Sequence, residues 1–405
     1  MKPVCAICGK EITASDNSEE HIIPASLGGR RTVSDFLHGH CNNEAGATWD
    51  GELAKQLQPL ILNFGVKRQG GQALKMKVAT TAGEEFLLGP GGSLEMLKPI
   101  IEKADPAIGN TYKIQVGSRA DGRKVLNGLK RKHPEIDIEA SLACIRVEET
   151  YLKAPIQLNL QFGGEESGRS LVKSTLALAY DAGLPVDLCQ DAVGYLRGSK
   201  APCFGYYYIG DLIVERPTGV PLHCIAIEAR PDTGLILGYA EYFGINRAVV
   251  CLGHGYQGEP VRKVYAIDPR TGMQLDLAVD LPFNEEAIKA IYDYQMDNDA
   301  GRKAAYDAVW PAILEARRNA EWERVAREGF KYAWDNCGAK PDAILTIIDK
   351  VNIVRLFSTK IFPFLTQVWG LDAHTALTRA VIVGLEVLNL AESQSAKVKT
   401  RNPLV

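Results

Sequence analysis

The chain is 405 residues long and has no run of about 20 uncharged apolar residues, so no membrane span is expected. The two most apolar late stretches are broken by charge: Asp349, Lys350 and Arg355 in residues 342–357, and Arg379 and Glu386 in residues 377–390. The opening residues, Met1-Lys2-Pro3-Val4-Cys5, hold no apolar stretch of the kind a secretory leader needs. Internal repeats and low-complexity tracts are absent, which removes solenoids and propellers from consideration. A strong charge of one sign is also missing. Lys and Arg number 46 against 49 Asp and Glu, for a net charge of -3. Such a chain does not coat nucleic acid by bulk electrostatics, so any contact with phosphates must be local. Cysteine is too sparse for a disulfide framework: there are nine, three within the first 41 residues and six scattered singly. That usage fits a reduced, cytoplasmic protein with one metal-binding cysteine cluster.

What is present is ordinary globular material, 46% hydrophobic and 23% charged, enough for two or three domains. The patterning points to an α+β chain in three parts. Residues 1–56 are dense in motifs and end in a helix over Cys41–Gln56. Residues 66–71, Val-Lys-Arg-Gln-Gly-Gly, make a hinge. Residues 72–282 are rich in strands and predict a largely antiparallel sheet. Strands are expected at Leu74–Val78, Glu85–Leu88, Tyr112–Val116, Ile136–Val147, Ile156–Phe162, Tyr206–Val214, Leu222–Ala229, Leu235–Tyr242, Arg247–Leu252 and Val261–Ile267. Helices are expected at Arg123–Lys132 and Ser170–Asp181, the latter with Val172, Thr175, Leu176 and Ala179 on one face. Residues 283–405 read as helical: Asn284–Met296, Ala300–Phe330 with a break near Pro311, Pro341–Leu356 and Asp372–Ala391, followed by a frayed, basic tail.

The first 41 residues contain two ligand pairs of like spacing. Cys5-x-x-Cys8-Gly9-Lys10 places two thiolates on a tight turn, and His38-Gly39-His40-Cys41 repeats the spacing with one histidine. Cys5, Cys8, His38 and Cys41 supply four soft or borderline ligands, the set tetrahedral Zn²⁺ prefers. His40, two residues from His38, is the competing ligand. A unit of about 55 residues buries too little apolar surface to stay rigid alone, and a structural zinc adds folding free energy directly.

Between the pairs lies Glu19-Glu20-His21-Ile22-Ile23-Pro24-Ala25-Ser26-Leu27-Gly28-Gly29, and after them Cys41-Asn42-Asn43-Glu44-Ala45-Gly46 and Trp49-Asp50. A neutral imidazole takes up a proton at cellular pH, so His21 is a candidate general base. Glu20 and the amide oxygen of Asn42 are hard oxygen ligands suited to Mg²⁺ or Mn²⁺. Neighbours on an extended strand point to opposite sides, so Glu20 and His21 share one site only if the backbone turns there. The series CxxCGK, EHIIPxSLGG and CNNxxG resembles the HNH endonuclease family, in the branch whose last motif residue is asparagine. The resemblance covers residues 1–52, about an eighth of the chain. It implies a zinc-stabilised ββα-metal head that hydrolyses phosphodiesters, with His21 as base and Glu20 and Asn42 on the catalytic metal. The sequence departs from the commoner pattern at His38, at Asn42, and at the residue that orients the base, near which only Asp35 stands. Asn43 is the alternative to Asn42, and Asp50 is an additional carboxylate.

Other features are weaker. Arg30 and Arg31, just after the Gly-Gly turn, are candidates for contact with a DNA backbone. Arg119, Arg123, Lys124, Lys130, Arg131 and Lys132 form a basic cluster that either tracks phosphates or is a solvated face. Gly253-His254-Gly255-Tyr256-Gln257-Gly258 fits a G-x-G-x-x-G pattern but precedes a strand, so it reads as a hairpin loop. His223 and Cys224 read as core. By analogy with effectors that couple an HNH head to a sensor, the remainder is expected to sense, target or assemble. A defence role, a small-molecule or protein activator and homo-oligomerisation belong to that expectation.

Overall fold

The computed structural model describes residues 3–71, 74–103, 112–146, 151–339 and 344–400, and the side chains of that last segment as far as 389. By its contacts the chain forms two compact units: Met1–Ile138 with Ile156–Ile313, and Glu139–Pro155 with Leu314–Val405. The zinc-motif segment and the large sheet therefore share one unit.

The N-terminal segment folds as a short antiparallel ribbon, β1 (Glu20–His21) on β2 (Thr32–Val33), followed by helices α1 (Gly39–Ala45), α2 (Gly51–Gln56) and α3 (Gln58–Phe64). Between α1 and α2 the helix widens to π geometry over Gly46–Asp50. Next come β3 (Met76–Thr80), β4 (Glu85–Leu88) and β5 (Leu94–Met96), then the β6 (Ile100–Lys103) and β7 (Tyr112–Gln115) hairpin, and helix α4 (Arg119–Lys130). Ser118 caps α4 by accepting from the Asp121 N–H, so the helix starts four residues before its expected position. Arg119, Arg123, Lys124, Lys130, Arg131 and Lys132 are all exposed.

Residues 136–147 were expected as strand. They instead contain helix α5 (Ile138–Ala143), and Val147 lies outside the described residues. Ile136 and Ile138 mimic an alternation, but Glu-Ala-Ser-Leu-Ala favours helix and buries Leu142. Strand β8 (Ile156–Gln157) then joins the β5-β4-β3-β8 sheet.

The centre of the first unit is a six-stranded antiparallel sheet in the order β15-β14-β11-β12-β13-β9. In chain order, helices α6 (Glu165–Asp181) and α7 (Gln190–Leu196) precede β9 (Phe204–Tyr206), β10 (Ile213–Val214), β11 (His223–Arg230), β12 (Leu235–Tyr242), β13 (Asn246–Gly253), β14 (Val261–Asp268), β15 (Met273–Leu275) and β16 (Ala278–Val279). The expected single strand at 206–214 is thus two, β9 and β10, in different sheets.

Strands β11 to β13 are nearly continuous apolar runs because both faces are covered. Ile225, Ile227, Ala240, Ala248 and Val250 face α6 and the N-terminal segment. Cys224, Ala226, Leu237, Tyr239 and Val249 face Leu281, Phe283 and helix α8 (Glu285–Tyr292). Gly238 lets α6 lie close on the sheet, since a Cβ there would come within 2.8 Å of the Thr175 Cβ.

Helix α9 (Asp299–Asn336) runs through Pro311 without the expected break. Val309 and Ile313 are buried on either side, and Trp310 packs on Phe64 at 5.3 Å, so packing outweighs the missing N–H. In the second unit, α10 (Ile347–Gln367) and α11 (Ala373–Thr400) enclose Ile353, Phe357, Ile361, Phe364, Ala376 and Ala380. The Trp322 and Trp369 rings meet in a tilted arrangement, centroids 5.1 Å apart, within the same core. Among the described residues no helix is long and apolar enough to cross a membrane.

Candidate metal and nuclease centre

The cysteine turn and the start of α1 bring Cys5, Cys8, His38 and Cys41 together, with one ligand atom from each lying within 4.8 Å of the others. Cys8 Sγ stands 3.1 Å from His38 Nδ1. The other imidazole nitrogen, Nε2, faces the Glu11 carbonyl at 3.0 Å, which fixes ring orientation and leaves Nδ1 as the ligand atom. His38 is buried, whereas His40 is exposed, with its Nε2 3.2 Å from Cys41 Sγ. Burial and the adjacent Cys5 thiol push the Cys41 thiol up to about 12. Three thiols packed this closely cannot all ionise without a cation, and a Zn²⁺ supplies one. The residues fit that ion.

The ribbon splits Glu20 and His21. Glu20 turns inward and is 2% exposed, while His21 stays half-buried on the outer side. This is the alternation of an extended strand, without the turn that would unite the two side chains. His21 Nε2 lies 3.1 Å from Gln69 Oε1, in the segment after α3. Asn42 donates its side-chain N–H groups to Ser18 Oγ at 3.2 Å and the Glu19 carbonyl at 3.0 Å, tying α1 to the entry of β1. Asn43 is exposed. Asp35 adopts a left-handed backbone (φ 59°) and pairs with Asn17 at 2.8 Å; Tyr180 of α6 donates to its carbonyl at 3.0 Å.

Inside, Glu20 meets Lys173, a residue of α6 with no side-chain exposure. The Lys173 ammonium donates to Glu20 Oε1 and, at 2.7 Å, to Asp50 Oδ2, whose other oxygen accepts from Ser170 Oγ at 2.6 Å. Burial works against the Lys173 charge, but Asp50 and Glu20 outweigh it and hold its pKa above the ordinary value. Burial, with the charge of Asp50, raises the Glu20 carboxyl against the opposing pull of Lys173. One ammonium between two carboxylates is an arrangement that only a buried, fully bonded cation sustains.

This triad bears on the hard-metal expectation. As arranged, the Lys173 ammonium occupies Glu20 Oε1, an oxygen that a divalent cation at this carboxylate would have to share or displace. Arg30 and Arg31 are engaged as well. Arg30 donates to the Thr271 carbonyl at 3.3 Å, and Arg31 pairs with Asp181 at 2.8 Å.

Lys173 was not singled out by motif reading. One signal does mark it: from Ser167 to Ala179 α6 is small or apolar on nearly every side, apart from Arg169 and this lysine. A helix buried all round must pair any central charge with a buried acid.

Neither a curated protein nor a solved structure matches the chain. The segment that carries the cysteine cluster, the Glu-His ribbon and helix α1 does find a match. Residues 5–58, the N-terminal part of this chain, match the family model described as HNH endonuclease.

Proposed function

We propose that the chain is a regulated endonuclease that hydrolyses phosphodiester bonds of DNA, with His21 as general base. The observation that carries this is the placement of His21 on the open side of a zinc-braced ribbon, in the matched segment. Gln69 Oε1 can only accept a hydrogen bond, so His21 Nε2 carries the hydrogen and Nδ1 is the basic nitrogen. In the reaction Nδ1 takes a proton from water, the hydroxide oxygen bonds to phosphorus, and the bond from phosphorus to the leaving deoxyribose oxygen breaks. That oxygen then gains a proton. Cys5, Cys8, His38 and Cys41 hold the structural zinc. Ligation of Mg²⁺ or Mn²⁺ by Glu20 and Asn42 stays part of the proposal, with the cation sharing Glu20 with Lys173 or displacing it.

The test is nicking of supercoiled plasmid with Mg²⁺ or Mn²⁺. His21→Ala is expected to lower the rate about 10²–10⁴-fold. Equal rates in both proteins would remove His21 from the chemistry.

In this proposal residues 1–56 are the nuclease domain, and residues 72–282 and 283–405 sense an activator or assemble the chain. Exposed apolar side chains on α10 and α11 support assembly, among them Ile347 at 81%, Ile348 at 73% and Val351 at 60%. A strictly monomeric protein by light scattering, with and without DNA, would contradict it. The Lys173–Glu20 pair favours a second reading, in which the domain is a non-catalytic zinc module that docks nucleic acid or a partner. Retained DNA binding with no cleavage in either metal would select it.

A further inference from the structure

We propose a second metal site, formed by Asp191, Cys251 and His254, that takes a borderline divalent cation such as Zn²⁺. Their ligand atoms lie within 4.8 Å of one another, away from the four residues of the first centre. Cys251-Leu252-Gly253-His254 repeats the two-residue spacing that brings ligands together in both halves of that centre.

Three local features build the site. The β12–β13 register shifts between Ile236 and Leu237, whose partners are Gly253 and Cys251, so Leu252 is a bulge residue between the two ligands. A bulge re-aims side chains at a strand end. Gly253 then allows the segment before α7 to close on the strand, since a Cβ there would lie 2.2 Å from the Leu188 carbonyl oxygen. That approach sets Asp191, in the first turn of α7, against His254, with Oδ2 to Nδ1 at 2.8 Å. Lys200 bonds the other Asp191 oxygen at 2.7 Å and orients the carboxylate from outside, the usual role of a group behind a ligand.

The distances suit a tetrahedral ion. Cys251 Sγ is 3.9 Å from His254 Nδ1 and 3.8 Å from Nε2. With Zn–S about 2.3 Å and Zn–N about 2.0–2.1 Å, the S···N edge of the tetrahedron is about 3.6 Å. The His–Asp contact has hydrogen-bond length, and metal entry widens it to an edge of about 3.4 Å. The first centre is contracted in the same way, with 3.1 Å between Cys8 Sγ and His38 Nδ1. The same three residue types also suggest a nucleophilic triad, but the geometry excludes it. Cys251 Sγ is nearly equidistant from both ring nitrogens, so it lies along the lone pair of neither. Cys251 is also fully buried, out of reach of a substrate. The Asp191 and His254 side chains are 25% and 49% exposed, which gives a cation its way in and leaves a fourth position toward solvent. Binding displaces the Cys251 thiol proton to solvent.

Zinc content of the full chain, after equilibration with micromolar Zn²⁺ and removal of free metal, tests the site. Two zinc ions per chain are expected, falling to one in Cys251→Ser and in His254→Ala. His254 is half-exposed, so its variant keeps the test valid if the cysteine variant fails to fold. In the Co²⁺ form, Cys251→Ser should remove about one quarter of the thiolate-to-metal absorption, one of four coordinating thiolates. One zinc in the wild type, or two that persist in His254→Ala, overturns the proposal.

Discussion

Two charged clusters that involve the HNH-matched segment are built on opposite plans. The zinc cluster joins two short segments, each supplying two ligands with two residues between them. The Glu20–Lys173–Asp50 cluster draws its cation from α6, 153 residues beyond Glu20 and 123 beyond Asp50. In the first, a metal from solution balances thiolates. In the second, a side chain from outside the matched segment balances carboxylates. The difference teaches that the HNH segment ends in sequence near residue 58 but not in chemistry, because its innermost carboxylate is completed by the helix lying on the sheet.

Removing the metal should have the largest effect. Structural zinc contributes about 10–16 kcal/mol in small zinc modules. Cys5→Ser, or a strong chelator, is therefore expected to unfold residues 3–64 and expose them to protease, as read by limited digestion. The sheet keeps its own core on the opposite face, against Leu281, Phe283 and α8, so it should survive. Digestion of the whole first unit at the same rate would mean that the clusters are not separable.

Lys173→Met comes next. It leaves Glu20 and Asp50 buried without their cation, at a cost of about 3–5 kcal/mol by urea unfolding. Zinc content should stay unchanged, because the two clusters share no ligand. Loss of zinc in this variant would erase the contrast between them.

A third effect comes from His223 of β11, which is fully buried and accepts from the Phe243 N–H at 3.0 Å. Burial pushes its pKa down to about 3, against weaker opposition from the Leu27 and Leu222 backbone. A depressed folded pKa means stability that is complete above the unfolded value, near 6.5, and is lost as pH falls toward 3. The slope is about 1.4 kcal/mol per pH unit in that window. His223→Phe should flatten the unfolding free energy between pH 6 and 4, and an unchanged slope would assign it to other groups. Smallest is Tyr180→Phe, which removes the hydrogen bond to Asp35 for about 1 kcal/mol.

Legibility in the sequence follows the same division. The zinc ligands, the Glu-His ribbon and strands β11 to β14 depend on spacing within a few residues, and each can be read directly. Asp50 was visible as a carboxylate on the right helix, though its partner was not. Lys173 looked like one polar position on a half-buried helix, because the covering of its outer side by the N-terminal segment is written nowhere near it. The unbroken passage through Pro311 was missed for a related reason, since packing decided it, whereas the helix at 138–143 was missed because Ile136 and Ile138 mimic an alternation. The division of function among residues 1–56, 72–282 and 283–405 rests on patterning and analogy. By contacts, the first segment and the sheet lie in one compact unit.

The most direct test of the shared centre is a double-mutant cycle on Glu20→Gln and Lys173→Met, followed by urea unfolding. The account predicts that each single change is costly and that the double variant is more stable than the sum of the two, by at least about 1.5 kcal/mol of coupling. Additive losses would show that the ammonium and the carboxylate do not depend on each other, and that the HNH-matched segment ends where its motif ends.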